Sequence, residues 1–286
     1  MSNPITNFDE RLQVLIEAAL TEDLGDGDHS SLAAIPADAK GKAILKIKQD
    51  GILAGVEIAE KIFQYREPGA VFQLHKKDGE TIQSGDNAFT IEALVHTILT
   101  CERIVLNCMQ RMSGIATLTH LYVEKIKDYP AKILDTRKTT PGFRLLEKEA
   151  VRIGGGLNHR FGLFDMIMLK DNHIDFCGGI GKALDRASDY TKKYRPTMRI
   201  EVETRTLDDV REVLKTGIAH RILLDNFSPS LLKQALDIIQ KKAETEASGG
   251  INLDNIREYA ATGVDYISIG ALIHQAKSLD FSLKAI

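Results

Sequence analysis

Leu12, Leu15, Ile16, Ala19 and Leu20 recur three and four residues apart, the spacing that lays one apolar stripe along a helix. Asn7 with Glu10 three residues later resembles a capping box, so the first helix is predicted to begin there. It ends in the turn-rich run DLGDGDHSS. The period then changes: from Lys42 to Gln49, Ala43, Leu45 and Ile47 face one way and mostly lysines the other, which predicts a half-buried strand. Shorter strand signals at Val71 to Leu74 and Ala88 to Ile91 are separated by DGETIQSGDN, whose glycines suit tight turns. Up to about residue 92 the chain reads as a small mixed α and β unit.

From Leu94 to Met112 the apolar residues Leu94, Ile98, Cys101, Val105, Cys108 and Met112 return to helical spacing. The SGIAT that follows is predicted to break and restart this helix, which then runs to about Lys127. Beyond Pro130, short apolar strands (AKILDT, DMIMLK, RIEVET, RILLDN, AETEAS and DYISIG) alternate with helices near 145 to 154, 180 to 193, 207 to 216, 229 to 241 and 253 to 262. That alternation implies right-handed crossovers and a parallel sheet, either open and doubly wound or closed towards a barrel. The strands exit into Arg137 and Lys138, Lys170, Glu203, Asp225, Ser248 with Gly249 and Gly250, and Gly270. A barrel brings all of these to one rim, where active sites are assembled, whereas an open sheet spreads most of them along an edge. The barrel is the expected form; the general polarity of strand ends accounts for one or two of these residues but not for the set.

Composition narrows the function classes. The 286 residues are 43% hydrophobic and 27% charged, which fits one large or two medium globular domains and excludes a disordered chain. Lys and Arg number 37 against 40 for Asp and Glu, a formal charge of −3 that argues against a dedicated nucleic-acid binder. No apolar run approaches the roughly 20 residues of a membrane span, and the start carries Asp9 and Glu10 rather than a basic, then apolar, leader. A soluble cytoplasmic protein with no membrane partner is expected. Cys101, Cys108 and Cys177 form no C-x-x-C pair, so buried or inert thiols are expected rather than a disulfide framework or a zinc site.

The rim residues suggest their own ligands. Backbone amides around Ser248-Gly249-Gly250 and Gly270, after the last two strands, are placed to converge on one phosphate. Arg137, Lys138, His159, Arg160 and Lys170 make a cationic group suited to an anionic ligand, since an arginine fork matches carboxylate and phosphate alike. Arg103 sits with Glu102 in an otherwise apolar helix, where a ligand role and a local ion pair are evenly matched. Glu203 and Asp225 put two carboxylates on the same rim, which suggests magnesium shared with substrate phosphates, or salt bridges to nearby lysines.

The blocks DTRKTTPGFR (135 to 144), GGGLNHRFGLFDMIMLKDNH (154 to 173), IEVET (200 to 204), LLDNF (223 to 227), EASGGI (246 to 251) and GVDYISIGAL (263 to 272) resemble the quinolinate phosphoribosyltransferases, as do EDLGDGD (22 to 28) and ERIVLNCMQRMSGIAT (102 to 117). Eight blocks in order cover essentially the whole chain. The resemblance implies a type II phosphoribosyltransferase: an amino-terminal α/β sandwich, placed at 1–112 and joined by the tail 275–286, and an incomplete TIM-like α/β barrel at 113–274. It implies a homodimer or a multiple of dimers, magnesium as cofactor, and conversion of quinolinate and phosphoribosyl pyrophosphate to nicotinate mononucleotide, pyrophosphate and carbon dioxide. Carried over block by block, Arg137, His159 and Arg160 would hold the quinolinate carboxylates, with Arg103 reaching in from the partner subunit. Lys138 and Lys170 would bind the phosphoribosyl donor, Glu203 and Asp225 would lie by the ribose and metal, and Ser248, Gly249, Gly250 and Gly270 by the 5′-phosphate. Three rivals stand beside this reading: a nicotinate-specific transferase without decarboxylation, a Schiff-base lysine enzyme built on Lys170, and a catalytically idle binding barrel.

Overall fold

The computed structural model describes residues 7–286, which divide into two compact units. The first gathers the chain up to His120 with Lys138–Gly155 and Leu272–Ile286; the second gathers Leu121–Arg137 and Gly156–Ala271. Residues 138–155, read from the sequence as part of the barrel half, are therefore counted with the first unit, and the amino-terminal unit runs past 112.

In the first unit, α1 (Phe8–Leu24) and α2 (His29–Ala34) precede β1 (Lys40–Ile47) and β2 (Gly51–Ile52). Then come α3 (Val56–Arg66), β3 (Val71–Leu74), β4 (Thr81–Ile82) and β5 (Asn87–Leu94), and the long α4 (Val95–Lys125). The expected capping box at Asn7 does not form. Asn7 is left-handed at φ 83, and its amide donates to Glu10 across 2.6 Å instead of accepting a backbone N–H. The principal sheet is antiparallel, with β1 between β5 and the carboxyl-terminal β12 (Phe281–Ala285) and β3 beyond β5. Alternation explains why: Ala43, Leu45 and Ile47 are buried on one face of β1 while the lysines face out. Phe89 of β5 stacks on Phe72 at 4.4 Å and meets Phe63 of α3 edge-on at 6.1 Å, which anchors helix to sheet.

The expected break in α4 is absent. Ser113 turns its hydroxyl on Ala54, donating to its carbonyl and accepting from its amide at 3.1 and 2.9 Å. A Cβ on Gly114 would overlap the carbonyl oxygen of Lys277, so this glycine admits a neighbouring backbone rather than ending the helix. Cys101 and Cys108 are buried on the same helix, and burial pushes both thiols up to about 12. All three cysteines are free.

Continuing along the chain, β6 (Lys132–Leu134), α5 (Arg144–Ile153), β7 (Ile167–Leu169), α6 (Asp171–Cys177) and α7 (Ile180–Tyr194) lead to β8 (Ile200–Thr204). There follow α8 (Leu207–Thr216), β9 (Arg221–Asp225), α9 (Pro229–Ile239), β10 (Glu244–Ser248), α10 (Ile256–Ala260), β11 (Tyr266–Ser268) and α11 (Ala271–His274). All six strands expected after Pro130 are present and parallel, in the spatial order β6-β11-β10-β9-β8-β7. From β7 to β11 each strand lies beside its successor, and β6 lies beside β11. A doubly wound sheet reverses direction at a switch point; this sheet never does. It is a barrel progression left open between β6 and β7, with one further parallel bridge from Leu134 to Leu157. Beyond Pro130 four helices depart from expectation: α10 spans only Ile256–Ala260 of the helix expected near 253 to 262, the four-residue α11 is not among those expected, and α9 and α6 differ as well. Helix α9 stops at Ile239 because Gln240 and Lys241 turn left-handed, and the short α6 buries only Ile174, too little to show a helical stripe in sequence. Among the described residues no helix is long and apolar enough to cross a membrane.

Candidate active site

Parallel registry sets the strand ends of the second unit level with one another. Leu169 pairs with Val202 and Ser248 with Asp225, so Lys170 stands beside Glu203, and Asp225 beside the start of the Ser248-Gly249-Gly250 turn. Lys170 Nζ lies 3.9 Å from Glu203 Oε2. Burial raises the Glu203 carboxyl, nearby Asp225 raises it further, and Lys170 opposes them. Lys170 itself is half exposed, unlike the desolvated lysine of a Schiff-base site.

The Ser248-Gly249-Gly250 turn is built around Asp225. The Ser248 hydroxyl and the Asn226 side-chain amide each donate to its carboxylate at 2.6 Å. Asn226 is left-handed at φ 57, and its backbone N–H donates to the Ser248 carbonyl at 2.8 Å. Gly249 and Gly250 follow with φ of 94 and 66; at Gly249 a Cβ would overlap Asn226 Oδ1 and stand 2.9 Å from the Asn226 nitrogen. Asn255 Nδ2 donates to the Gly250 carbonyl at 3.1 Å and holds the turn open. Gly270 lies at the matching place after β11, directly before α11.

The cationic side begins where β6 ends. Asp135 is fully buried and accepts the His159 amide at 2.8 Å, while Leu157 bridges to Leu134, so the loop carrying His159 and Arg160 is tied to β6. Asp165 accepts the amides of Phe161 and Gly162 and closes the far side of this loop. Burial first, and then the charge of Arg137, hold the Arg160 guanidinium below its ordinary range. Arg160 Nη1 donates to the Met166 carbonyl at 3.1 Å.

His159 differs from its neighbours. Its side chain is only 6% exposed, and Nε2 points inward to Glu201 Oε2 at 3.0 Å and Glu246 Oε2 at 3.3 Å. Nδ1 accepts the Arg160 amide at 2.7 Å. Beneath lies Arg221, with Nη1 3.0 Å from Glu246 Oε2 and Nη2 3.0 Å from Glu244 Oε2. Burial and Glu246 raise the Glu201 carboxyl; against the cost of burial, His159 and Arg221 hold Glu246 low. Against the cost of burial the two carboxylates raise His159, and since Nδ1 accepts the Arg160 amide the ring proton is placed on Nε2, facing them. Sequence reading missed Glu201, Arg221 and Glu246. The available signal was their place two or four residues before a rim residue on the same strand, hence on the same face.

Thus Arg137, His159, Arg160, Lys170, Glu203, Asp225, Ser248, Gly249, Gly250 and Gly270 all belong to the second unit. Arg103 and Lys138 belong to the first. Arg103 is exposed on α4 with Nη2 3.7 Å from Glu102, the local contact weighed above. Lys138 opens a segment in which Arg144 Nε donates to Thr139 and Thr140 donates to Glu147.

The models of the quinolinate phosphoribosyl transferase amino-terminal and carboxyl-terminal domains match residues 28–113 and 115–284. The chain belongs to the quinolinate phosphoribosyltransferase family. It is 46% identical to the quinolinate phosphoribosyltransferase [decarboxylating] 1b of Nicotiana tabacum over 289 residues, covering 96% of this chain and 82% of that one. A probable nicotinate-nucleotide pyrophosphorylase [carboxylating] of Bacillus subtilis is 42% identical, covering 96% and 93%. The solved NadC of Streptococcus pyogenes superposes with a TM-score of 0.90 at 40% identity over the whole of both chains. A human nicotinic acid phosphoribosyltransferase, 10% identical with a TM-score of 0.63 over 95% of this chain and 74% of its own, shares the fold alone. Membership of the quinolinate family therefore rests on sequence blocks spread over both units.

Proposed function

We propose that the protein is a pentosyltransferase that moves the phosphoribosyl group of phosphoribosyl pyrophosphate onto quinolinate with decarboxylation. The products are nicotinate mononucleotide, pyrophosphate and carbon dioxide, the step that brings a pyridine ring into NAD biosynthesis. Beside family membership, the observation that carries this reading is the tie between the loop of His159 and Arg160 and the end of β6, two residues before Arg137, through the His159 amide on Asp135 and the Leu134–Leu157 bridge, on a rim that also holds Glu203 and Asp225. Two arginines brought to one side of the rim suit a ligand with two adjacent carboxylates; a single carboxylate needs less.

Arg137 and Arg160 orient the pyridine dicarboxylate, and Lys138 and Lys170 neutralise the donor's pyrophosphate. The Ser248-Gly249-Gly250 turn and Gly270 hold the 5′-phosphate on backbone amides. As the bond from ribose C1 to pyrophosphate oxygen breaks, positive charge develops on C1 and the ring oxygen, and the carboxylates of Glu203 and Asp225 stabilise it. The pyridine nitrogen closes the new bond to C1 and becomes cationic. The ring then accepts the electron pair left at C2 as the carboxylate departs as carbon dioxide, and solvent returns a proton to C2. No side chain forms a covalent bond in this sequence; isolation of an enzyme-linked ribosyl species would contradict it.

Magnesium fits the rim. Glu203 and Asp225 offer only carboxylate oxygens, the donors this ion takes, and a cation relieves the like-charge proximity that raises Glu203. When bound it would supply charge neutralisation to the departing pyrophosphate. A cytoplasmic homodimer completes the reading, with Arg103 of one copy serving the other's site: Arg103 and Leu99, one turn earlier on α4, are both exposed. Mixing Arg103→Ala with Lys170→Ala protein should restore activity that neither variant has alone.

The deciding experiment supplies purified protein with phosphoribosyl pyrophosphate, magnesium and either quinolinate or nicotinate, and measures carbon dioxide and mononucleotide. Turnover with nicotinate alone would sink the proposal.

A further inference from the structure

Glu201, Arg221 and Glu246 are charged, buried and absent from the chemistry above. Strand alternation places Glu201 one layer beneath Glu203, Glu246 one layer beneath Ser248, and Arg221 two layers beneath Asp225. Burying such a cluster is expensive, and well-packed apolar residues of similar volume are often as stable or more so. Stability is thus a poor reason for it. Glu201 is the sharper case: neither carboxylate oxygen has a hydrogen-bond donor of good geometry, and its close polar contact is the 3.0 Å approach of His159 Nε2. The ligand atoms of His159, Glu201 and Glu246 lie within 4.8 Å of one another, as a metal site requires, but the Arg221 guanidinium already supplies the positive charge to Glu246.

What the carboxylates do touch leads upward. They face His159 Nε2, His159 Nδ1 accepts the Arg160 amide, and the loop that carries Arg160 is tied to the end of β6, two residues before Arg137, through the His159 amide on Asp135. Two like charges splay apart unless something fixes the backbone beneath them. Both ring nitrogens of His159 are committed inside the protein, so the imidazole is placed to brace that backbone.

We propose that Glu201 and Glu246 are positioning residues for the acid-binding rim: they hold His159 by Nε2, and His159 through Nδ1 holds Arg160 in register with Arg137. This rests on the reading of the rim as the quinolinate site. It also shifts His159 from ligand of the substrate carboxylates, as the family resemblance implies, to support of the residue that binds them. Glu244 is tied to Arg221 and to Arg199, whose Nη2 lies 2.7 Å from Glu244 Oε2, and Asp135 accepts the His159 amide.

Two variants at one position separate positioning from charge. Glu201→Gln keeps an acceptor oxygen near Nε2; Glu201→Leu keeps much of the volume and loses the acceptor. KM for quinolinate and for phosphoribosyl pyrophosphate, equilibrium binding of quinolinate, and thermal midpoint are measured on both beside the wild type. The Leu variant should raise the quinolinate KM about tenfold, the effect of losing roughly 1.4 kcal/mol of polar contact, and leave the donor KM within about twofold. Its thermal midpoint should equal or exceed that of the wild type, and the Gln variant should restore quinolinate binding. If the Leu side chain does not yield folded protein, Glu201→Met replaces it with the same expected outcome. Unchanged quinolinate binding in the apolar variant, equal loss for both substrates, or a Gln variant as impaired as the apolar one would each overturn the positioning role. A folded wild type that fails to consume quinolinate instead refutes the functional reading itself.

Discussion

Arg111 of α4 closes on Glu147 of α5 through two hydrogen bonds, Nε and Nη2 both reaching Oε1 at 3.0 and 2.9 Å. The same carboxylate accepts the Thr140 hydroxyl at 2.9 Å and, through Oε2, the Thr140 amide at 2.8 Å. On its other side Arg111 donates to the carbonyls of Ile273 and Ala276. One buried ion pair therefore gathers a long helix, the segment two residues beyond Lys138 and the chain leaving the barrel at Gly270. Removing one member of a buried pair leaves the other uncompensated, so Glu147→Ala should cost about 3–5 kcal/mol, read as a lower denaturant midpoint. The surviving protein should also bind phosphoribosyl pyrophosphate more weakly, because the segment that carries Lys138 loses its anchor.

Gly249 makes a second prediction from geometry. Its φ of 94 is strained for any side chain, and a Cβ there meets both the side chain and the nitrogen of Asn226, whose own φ of 57 leaves it little room to yield. Gly249→Ala should cost about 1–3 kcal/mol of stability. Because Asn226 and Ser248 both hold Asp225, the donor KM should rise while quinolinate binding to the free enzyme changes little. A variant with wild-type donor KM would remove this turn from the phosphate site.

Adjacent residues should separate the two substrates. Arg137 ends the first segment of the second unit, the unit that also holds Arg160, while Lys138 opens the segment tied to Glu147. Arg137→Ala should chiefly weaken quinolinate, and Lys138→Ala chiefly phosphoribosyl pyrophosphate, as measured by the two KM values. Arg137→Ala should also relieve the repulsion that holds the Arg160 guanidinium low, so binding is weakened rather than abolished. Equal effects of both variants on both substrates would count against the assignment.

The rim was legible because strand endings announce themselves: an apolar run stops at a polar or glycine residue, and six such stops in parallel strands meet at one end. The barrel's interior was not. In IEVET and ETEAS, charge at every second position is also what a solvated face shows, and only the curvature of the barrel sheet turns that face inward onto His159. Gly114 misled for a related reason. Glycine in a helix pattern signals either a break or a close approach, and the neighbour that decides, the backbone at Lys277, lies far away in sequence. Gly114→Ala should therefore destabilise the protein more than the propensity gain of alanine, about 1 kcal/mol, can offset. A thermal midpoint above the wild type would show that the backbone contact is loose.

Asp78 supplies a test in pH. Its carboxylate accepts the amides of Val56 at 2.9 Å and Glu57 at 3.4 Å at the start of α3, where Gly55 enters left-handed at φ 97. Burial outweighs these hydrogen bonds and raises the group from 3.8 to about 6. For an acid raised on folding, the native state holds the proton more tightly than the unfolded chain. The contribution is complete below the unfolded pKa near 4 and is lost as pH rises through about 6. The full shift corresponds to about 3 kcal/mol. Asp78→Asn keeps an acceptor oxygen and removes the titration, so wild-type stability relative to this variant should fall between pH 4 and pH 7 and level off above. Denaturant midpoints of the two proteins across that range measure the difference directly, and parallel curves would show that Asp78 is ionised in the fold as freely as in the unfolded chain.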